Sequence, residues 1–199
     1  MEYAPDLSKL PIPKDDGGCN HLVGEKLPQV LLDSTSGERL DLSAIQGKVV
    51  IYCYPMTKQP NIPIPDGWEQ IPGAAGCTLQ SCAFRDFNTE FQELGVHVYG
   101  ISTQDSLYQQ EVVERLHLPF ELLSDANLAF TTLLRLPIFE VEGKRLIKRL
   151  TLVADGGKIV KVFYPVFPPD TNAREVIEWL KEWTKQNQEE PRNPGDWID

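Results

Sequence analysis

Two cysteines stand five residues apart in Gly76-Cys77-Thr78-Leu79-Gln80-Ser81-Cys82. A thiol is a weak nucleophile and its thiolate a strong one, so the surroundings decide whether such a residue reacts. At pH 7 a thiol with a pKa of about 8.5 is roughly 3% ionised, and one with a pKa of about 6 is roughly 90% ionised. Cys77 lies where a strand and loop give way to a helix. The first N–H groups of a helix have no intrahelical partner, and that end carries about half a positive charge. Gly73 and Gly76 allow backbone to approach a small substrate closely. On an ideal helix Cys82 falls about 140° around and about 7.5 Å along from Cys77, so the two cannot bond while that helix is intact. The pair reads equally as two small apolar side chains at a helix–sheet contact. A metal site is a weaker reading, because C-x4-C lacks a second ligand pair and His21, His97 and His117 are scattered.

The elements that must position these residues follow from periodicity. Val49–Tyr54 is a continuous apolar run, as expected of a strand covered on both faces. Pro55, Pro60, Pro63, Pro65 and Pro72 then impose a loop. Phe84, Phe87, Phe91 and Leu94 recur at helical spacing before Gly95, which predicts one helix over Thr78–Leu94. Val96–Ile101 reads as a strand. Tyr108, Val112 and Leu116 mark a helix that Pro119 stops. Phe120–Leu123 is a short strand, and Ser124 or Asp125 can cap a helix reaching about Arg135. Ile147–Val153 and Ile159–Phe163 flank a hairpin turn at Asp155–Lys158. Asn172-x-x-Glu175 resembles a capping box, with Val176, Leu180 and Trp183 facing inward on the last helix. Strand–helix–strand units imply a parallel sheet, and the late hairpin adds antiparallel strands. An earlier hairpin is expected from Val30–Leu32 and Arg39–Leu42. The expectation is one mixed α/β domain over residues 21–184, with a flexible arm at 1–20 and an acidic tail at 185–199.

The chain has 199 residues, and its charge is 19 − 29 = −10. That balance disfavours nucleic acid and anionic membrane, which require a basic face. No apolar run approaches the roughly 18 residues of a membrane span, and the N-terminus has no secretory apolar stretch. A cytoplasmic, reducing location is therefore expected, where cysteines serve chemistry more often than permanent disulfides.

The stretch GCTLQSCAFRDF, followed by GVHVYGIST and FELLSD, resembles the peroxiredoxins, in particular the bacterioferritin-comigratory-protein or peroxiredoxin Q branch. The resemblance covers roughly residues 25–183. It implies a thioredoxin-like α/β fold, a mixed central sheet flanked by helices with an N-terminal hairpin extension. It implies thiol-dependent reduction of hydrogen peroxide or small organic hydroperoxides, with no cofactor. Cys77 matches the peroxidatic cysteine, and Cys82 matches the resolving cysteine that this branch carries on the same helix. Gln80 stands where the family has Glu or Gln, and Arg149 stands near its arginine. Implied partners are the hydroperoxide and a thioredoxin-like dithiol reductant, with the protein a monomer or weak homodimer. The family pattern P-x-x-x-T/S-x-x-C is interrupted: Ala74 and Gln70 occupy the Thr and Pro positions, and the Pro and Thr appear instead as Pro55 and Thr57. An insertion over about residues 58–75 separates them from Cys77. Either the insertion bulges away and Thr57 still reaches the sulfur, which is the expectation, or that hydroxyl is missing.

Arg149 and Thr151 share one face of the alternating run Ile147–Val153. A charge beside the core needs a partner, and a thiolate would serve; the other reading is a side chain snorkelling to water like Lys148. Cys53 reads as inert core, Cys19 as an exposed thiol in the arm, and Tyr164–Pro169 as a rigid turn. Two other functions fit the same fold. A thiol–disulfide oxidoreductase usually needs C-x-x-C, and a redox sensor would react without turning over.

Overall fold

The computed structural model describes residues 5–189. Strands β1 (Leu31–Ser34) and β2 (Arg39–Asp41) form the early hairpin, with Leu32 opposite Leu40. In β3 (Lys48–Cys53) every residue after Lys48 is buried. Its alternate side chains enter two different cores. Val49, Ile51 and Cys53 join Leu22, Leu32 and Phe130 on one face, while Val50, Tyr52 and Tyr54 join Phe84, Phe91 and Leu180 on the other. This two-sided burial is why the run is apolar without alternation.

The expected helix over Thr78–Leu94 is two helices, α1 (Cys77–Asp86) and α2 (Asn88–Glu93), separated at Phe87. The aromatic spacing survives the break: Tyr52 stacks on Phe84 at 4.5 Å between centroids, and Phe84 on Phe91 at 5.6 Å. Strand β4 (Val96–Ser102) is parallel to β3. Helix α3 (Ser106–Leu116) is capped by the Asp105 carboxylate, which accepts from Tyr108 N at 2.7 Å. Strand β5 (Leu122–Ser124) is parallel to β4, and α4 (Ala129–Leu134) is held by the Asp125 carboxylate, which accepts from Phe130 N and Thr131 N.

Residues 138–155 differ from the expectation of one strand over Ile147–Val153 with none just before it. β6 (Ile138–Val141) and β7 (Lys144–Ile147) form a separate hairpin, and β8 (Leu150–Asp155) follows after a break that contains Arg149. The signal was Glu142-Gly143, whose φ values of 48° and 74° make the two-residue turn that joins such strands. β9 (Lys158–Phe163) pairs with β8, giving a seven-stranded mixed sheet of order β2-β1-β5-β4-β3-β8-β9.

Helix α5 (Asn172–Glu189) runs past the expected boundary at 184. At its start Thr171 Oγ1 donates to Glu175 Oε1 at 2.7 Å, while Asn172, expected to open a capping box, is fully buried and turned inward, where its Oδ1 accepts from Gln80 and Thr151. The rest of the expected tail, including Trp197, lies outside the described residues.

Residues 5–20, read from sequence as a flexible arm, lie packed across the domain. Asp16 accepts from Lys148 Nζ at 2.6 Å and from Tyr164 OH at 2.7 Å. These two bonds, Lys148 first, hold its carboxyl well below the usual range. Cys19 is buried among Leu22, Cys53 and Phe130, which corrects the expectation of an exposed thiol. The prolines here fix extended backbone that docks without periodicity, so the segment left no pattern to read. The Pro-rich insertion likewise builds its own small core from Trp68, Ala74 and Ala75 against Leu146 of β7 and Leu10 of the N-terminal segment. No helix among the described residues is long and apolar enough to cross a membrane.

Candidate active site

Cys77 is the first residue of α1 and is only 3% exposed. Two constraints put it there. Tyr52 of β3 donates to Ser81 Oγ at 3.1 Å and ties the helix to the sheet. Gly76, at φ 100°, turns the chain into the helix, and a Cβ on it would lie 2.5 Å from Pro169 Cγ, so no other residue fits without displacement.

Arg149 is the other half of the site. It is 3% exposed, which excludes the snorkelling alternative. Its Nη2 donates to Cys77 Sγ at 3.1 Å and to the carbonyls of Ala74 and Ala75 at 3.0 Å each. Its Nη1 donates to Gln80 Oε1 at 2.5 Å. Gln80 Nε2 in turn donates to Asn172 Oδ1 at 3.0 Å, which also accepts from Thr151 Oγ1 at 2.7 Å. All three of these partners are fully buried. The guanidinium therefore makes no ion pair among the described residues, and the group in its shell able to carry a balancing negative charge is the Cys77 sulfur. A buried cation without a carboxylate is costly, and the Cys77 sulfur lies within hydrogen-bond reach of it. As a thiol, Cys77 donates to Ala74 O at 3.5 Å.

Of the four sequence candidates, Cys77 and Arg149 are in contact. Cys82 is on α1 one and a half turns away, half-buried against the same core as Cys77. All four cysteines are thiols. The bond expected from Thr57 to the sulfur is not formed. Thr57 is buried, and its N and Oγ1 both donate to Gln104 Oε1, at 2.9 and 3.0 Å. The insertion separates Thr57 in sequence from the place three residues before the cysteine, and Gln104 captures the hydroxyl. Asn172 was missed as a site residue because a polar side chain opening a helix looks like a cap. A cavity of about 10 Å³ lies over Cys77, bounded by Pro5, Met56, Lys58, Ile64 and Trp68.

Residues 22–177 match the Redoxin family. The chain is 30% identical over 159 residues to the putative peroxiredoxin bcp of Coxiella burnetii, covering 78% of this chain and 95% of that one. The chain belongs to the peroxiredoxins, in their bacterioferritin-comigratory-protein or peroxiredoxin Q branch. It is 32% identical to the chloroplastic peroxiredoxin Q of Populus jackii over 79% of this chain and 67% of that one. The crystal structure of peroxidoxin BcpB from Mycobacterium tuberculosis superposes with a TM-score of 0.67 at 28% identity, over 81% of this chain and 98% of that one. A peroxiredoxin Q mutant from Xylella fastidiosa, at 20% identity and TM-score 0.68 over 82% and 98%, shares the fold. This peroxiredoxin is a thiol peroxidase with a thioredoxin-like fold, and the oxidoreductase and sensor alternatives are not favoured.

Proposed function

We propose that Cys77 is the peroxidatic cysteine and Cys82 its resolving partner. The observation that carries the reading is the buried Arg149 guanidinium, which touches Cys77 Sγ at 3.1 Å and has no carboxylate partner among the described residues. In the thiolate form the sulfur balances that charge. The thiolate attacks the terminal oxygen of the hydroperoxide. An S–O bond forms as the O–O bond breaks, leaving Cys77 sulfenic acid, and the departing oxygen takes up a proton as water or alcohol. Arg149 and the unpaired N–H groups at the start of α1 are placed to stabilise charge as it moves from sulfur to oxygen. Thr57 is not required at the sulfur in this arrangement.

The Cys82 thiol then displaces the sulfenic hydroxyl as water and forms a disulfide. Over about one and a half helical turns the two sulfurs are out of reach, so the first turn of α1 unwinds for this step. A dithiol reductant of the thioredoxin kind restores both thiols by exchange. The acidic composition supports partners other than nucleic acid or membrane, a cytoplasmic location is the simplest setting, and a monomer or weak homodimer suffices.

Steady-state peroxide consumption with thioredoxin and its reductase tests the assignment. Cys77→Ser should abolish consumption. Cys82→Ser should consume about one equivalent of peroxide and then stop. Undiminished turnover in Cys77→Ser would overturn the mechanism.

A further inference from the structure

The cavity over Cys77 is enclosed partly by segments that belong to neither the sheet nor its helices. Ile64 and Trp68 come from the insertion, and Pro5 from the N-terminal segment. We propose that this enclosure is a steric filter that selects hydrogen peroxide over bulkier organic hydroperoxides, with Ile64 and Trp68 setting the limit. The inference rests on Cys77 being the peroxidatic cysteine.

The space measures about 10 Å³, which is about what one water-sized sphere needs. Hydrogen peroxide is two oxygen atoms, and a small outward movement of one wall admits it. In the attack the sulfur bonds to the terminal oxygen, and the other oxygen leaves with whatever group it carries plus a proton. A tert-butyl or cumyl group on that oxygen meets the walls of this space, Ile64 and Trp68 among them.

Most of the walls are fixed. Met56 and Lys58 flank Thr57, whose N and Oγ1 donate to Gln104 Oε1 and whose carbonyl accepts from Gln104 Nε2 at 3.1 Å and Tyr108 OH at 2.9 Å. Arg115 Nη2 donates to Lys58 O at 2.9 Å, and Gln59 N donates to Tyr108 OH at 3.0 Å. Three side chains following β4 thus hold the root of the insertion. The floor is the start of α1, where Gly76 passes close to Pro169. Trp68 is 3% exposed and lies 6.1 Å from the Phe139 ring, within the small core that includes Ala74, Ala75 and Leu146. Moving it means opening that core. Ile64 is half-buried and is the wall that gives most readily.

The test uses the reduced full-length protein in single turnover, following thiol loss with hydrogen peroxide, tert-butyl hydroperoxide or cumene hydroperoxide. Rate constants should fall in that order, with cumene hydroperoxide about 100-fold slower than hydrogen peroxide, equivalent to about 2.7 kcal/mol of barrier. Ile64→Ala should raise the ratio of the cumene to the hydrogen peroxide rate about tenfold, and Trp68→Leu should raise it in the same direction. The ratio separates the filter from general destabilisation, which slows every peroxide alike. Cumene hydroperoxide reacting within about threefold of hydrogen peroxide in the wild type, or a ratio unmoved in both variants, would overturn the filter. Failure to consume hydrogen peroxide at all would instead overturn the assignment of Cys77, and the filter with it.

Discussion

Cys77 and the pair Cys19 and Cys53 are similarly buried, yet they sit on opposite faces of the sheet in opposite electrostatic surroundings. Cys77 opens a ten-residue helix and touches a guanidinium. Cys53 lies in the middle of the sheet, where burial pushes its thiol far up, and Cys19 contributes further. Burial, then the carboxylates of Asp16 and Asp15, push the Cys19 thiol up to about 12. The comparison teaches that burial alone makes a cysteine inert. Cys77 differs in having a helix start and a guanidinium against its sulfur, and the proposed role rests on that difference.

The largest break in this contrast should come from Arg149→Met, which leaves Cys77 buried without its cation. Loss of a hydrogen bond to a charged group, about 1.5–3 kcal/mol, slows the peroxide step by roughly ten- to hundredfold. A single-turnover rate within twofold of wild type would show that the helix start suffices. Asn172→Leu should act next most strongly. It removes the acceptor for Gln80 and Thr151 and leaves two buried donors unsatisfied, lowering stability by about 1–3 kcal/mol in denaturant unfolding. Gln80 then holds Arg149 less firmly, and the peroxide rate should fall about tenfold. Thr57→Val should be the mildest of the three. Its hydroxyl serves Gln104, so about 1 kcal/mol of stability is lost and the peroxide rate changes by less than about fivefold. A hundredfold loss would mean that the hydroxyl turns to the peroxide in the complex.

The contrast also has a pH signature. A thiol whose folded pKa is raised to about 12 is protonated in the native state where the unfolded thiol, near 9, has ionised. Cys19 therefore contributes stability that is intact below pH 9 and is lost as pH rises from there towards 12. Native alkylation at pH 8 should leave Cys19 and Cys53 unlabelled until the protein unfolds. Labelling of either at the rate of a free thiol would contradict their burial.

The sheet and the cysteine helix were legible in the chain because their residues repeat. Val49–Tyr54 and the Phe84, Phe91 spacing report burial directly. Cys77 and Arg149 were legible as candidates because a thiol at a helix start and a charge in an apolar run each demand an explanation. What the chain concealed is long-range and aperiodic. Pro5, Asp16 and Cys19 dock at separate points, with no periodic pattern around them. Trp68 and Ile71 of the insertion meet Phe139 and Leu146 of a hairpin some seventy residues later, and neither segment alone shows that it has a core. Thr57 was misplaced because nothing near it in sequence indicates that Gln104, 47 residues on, would take its hydroxyl.

The most direct test of the account is to oxidise the reduced protein with one equivalent of hydrogen peroxide, block the remaining thiols and map the peptides without reduction. A Cys77–Cys82 disulfide within one chain, with Cys19 and Cys53 recovered as blocked thiols, is the predicted result. A Cys77–Cys19 link, a dimer joined through Cys77, or oxidation at Cys53 with Cys77 untouched would contradict it.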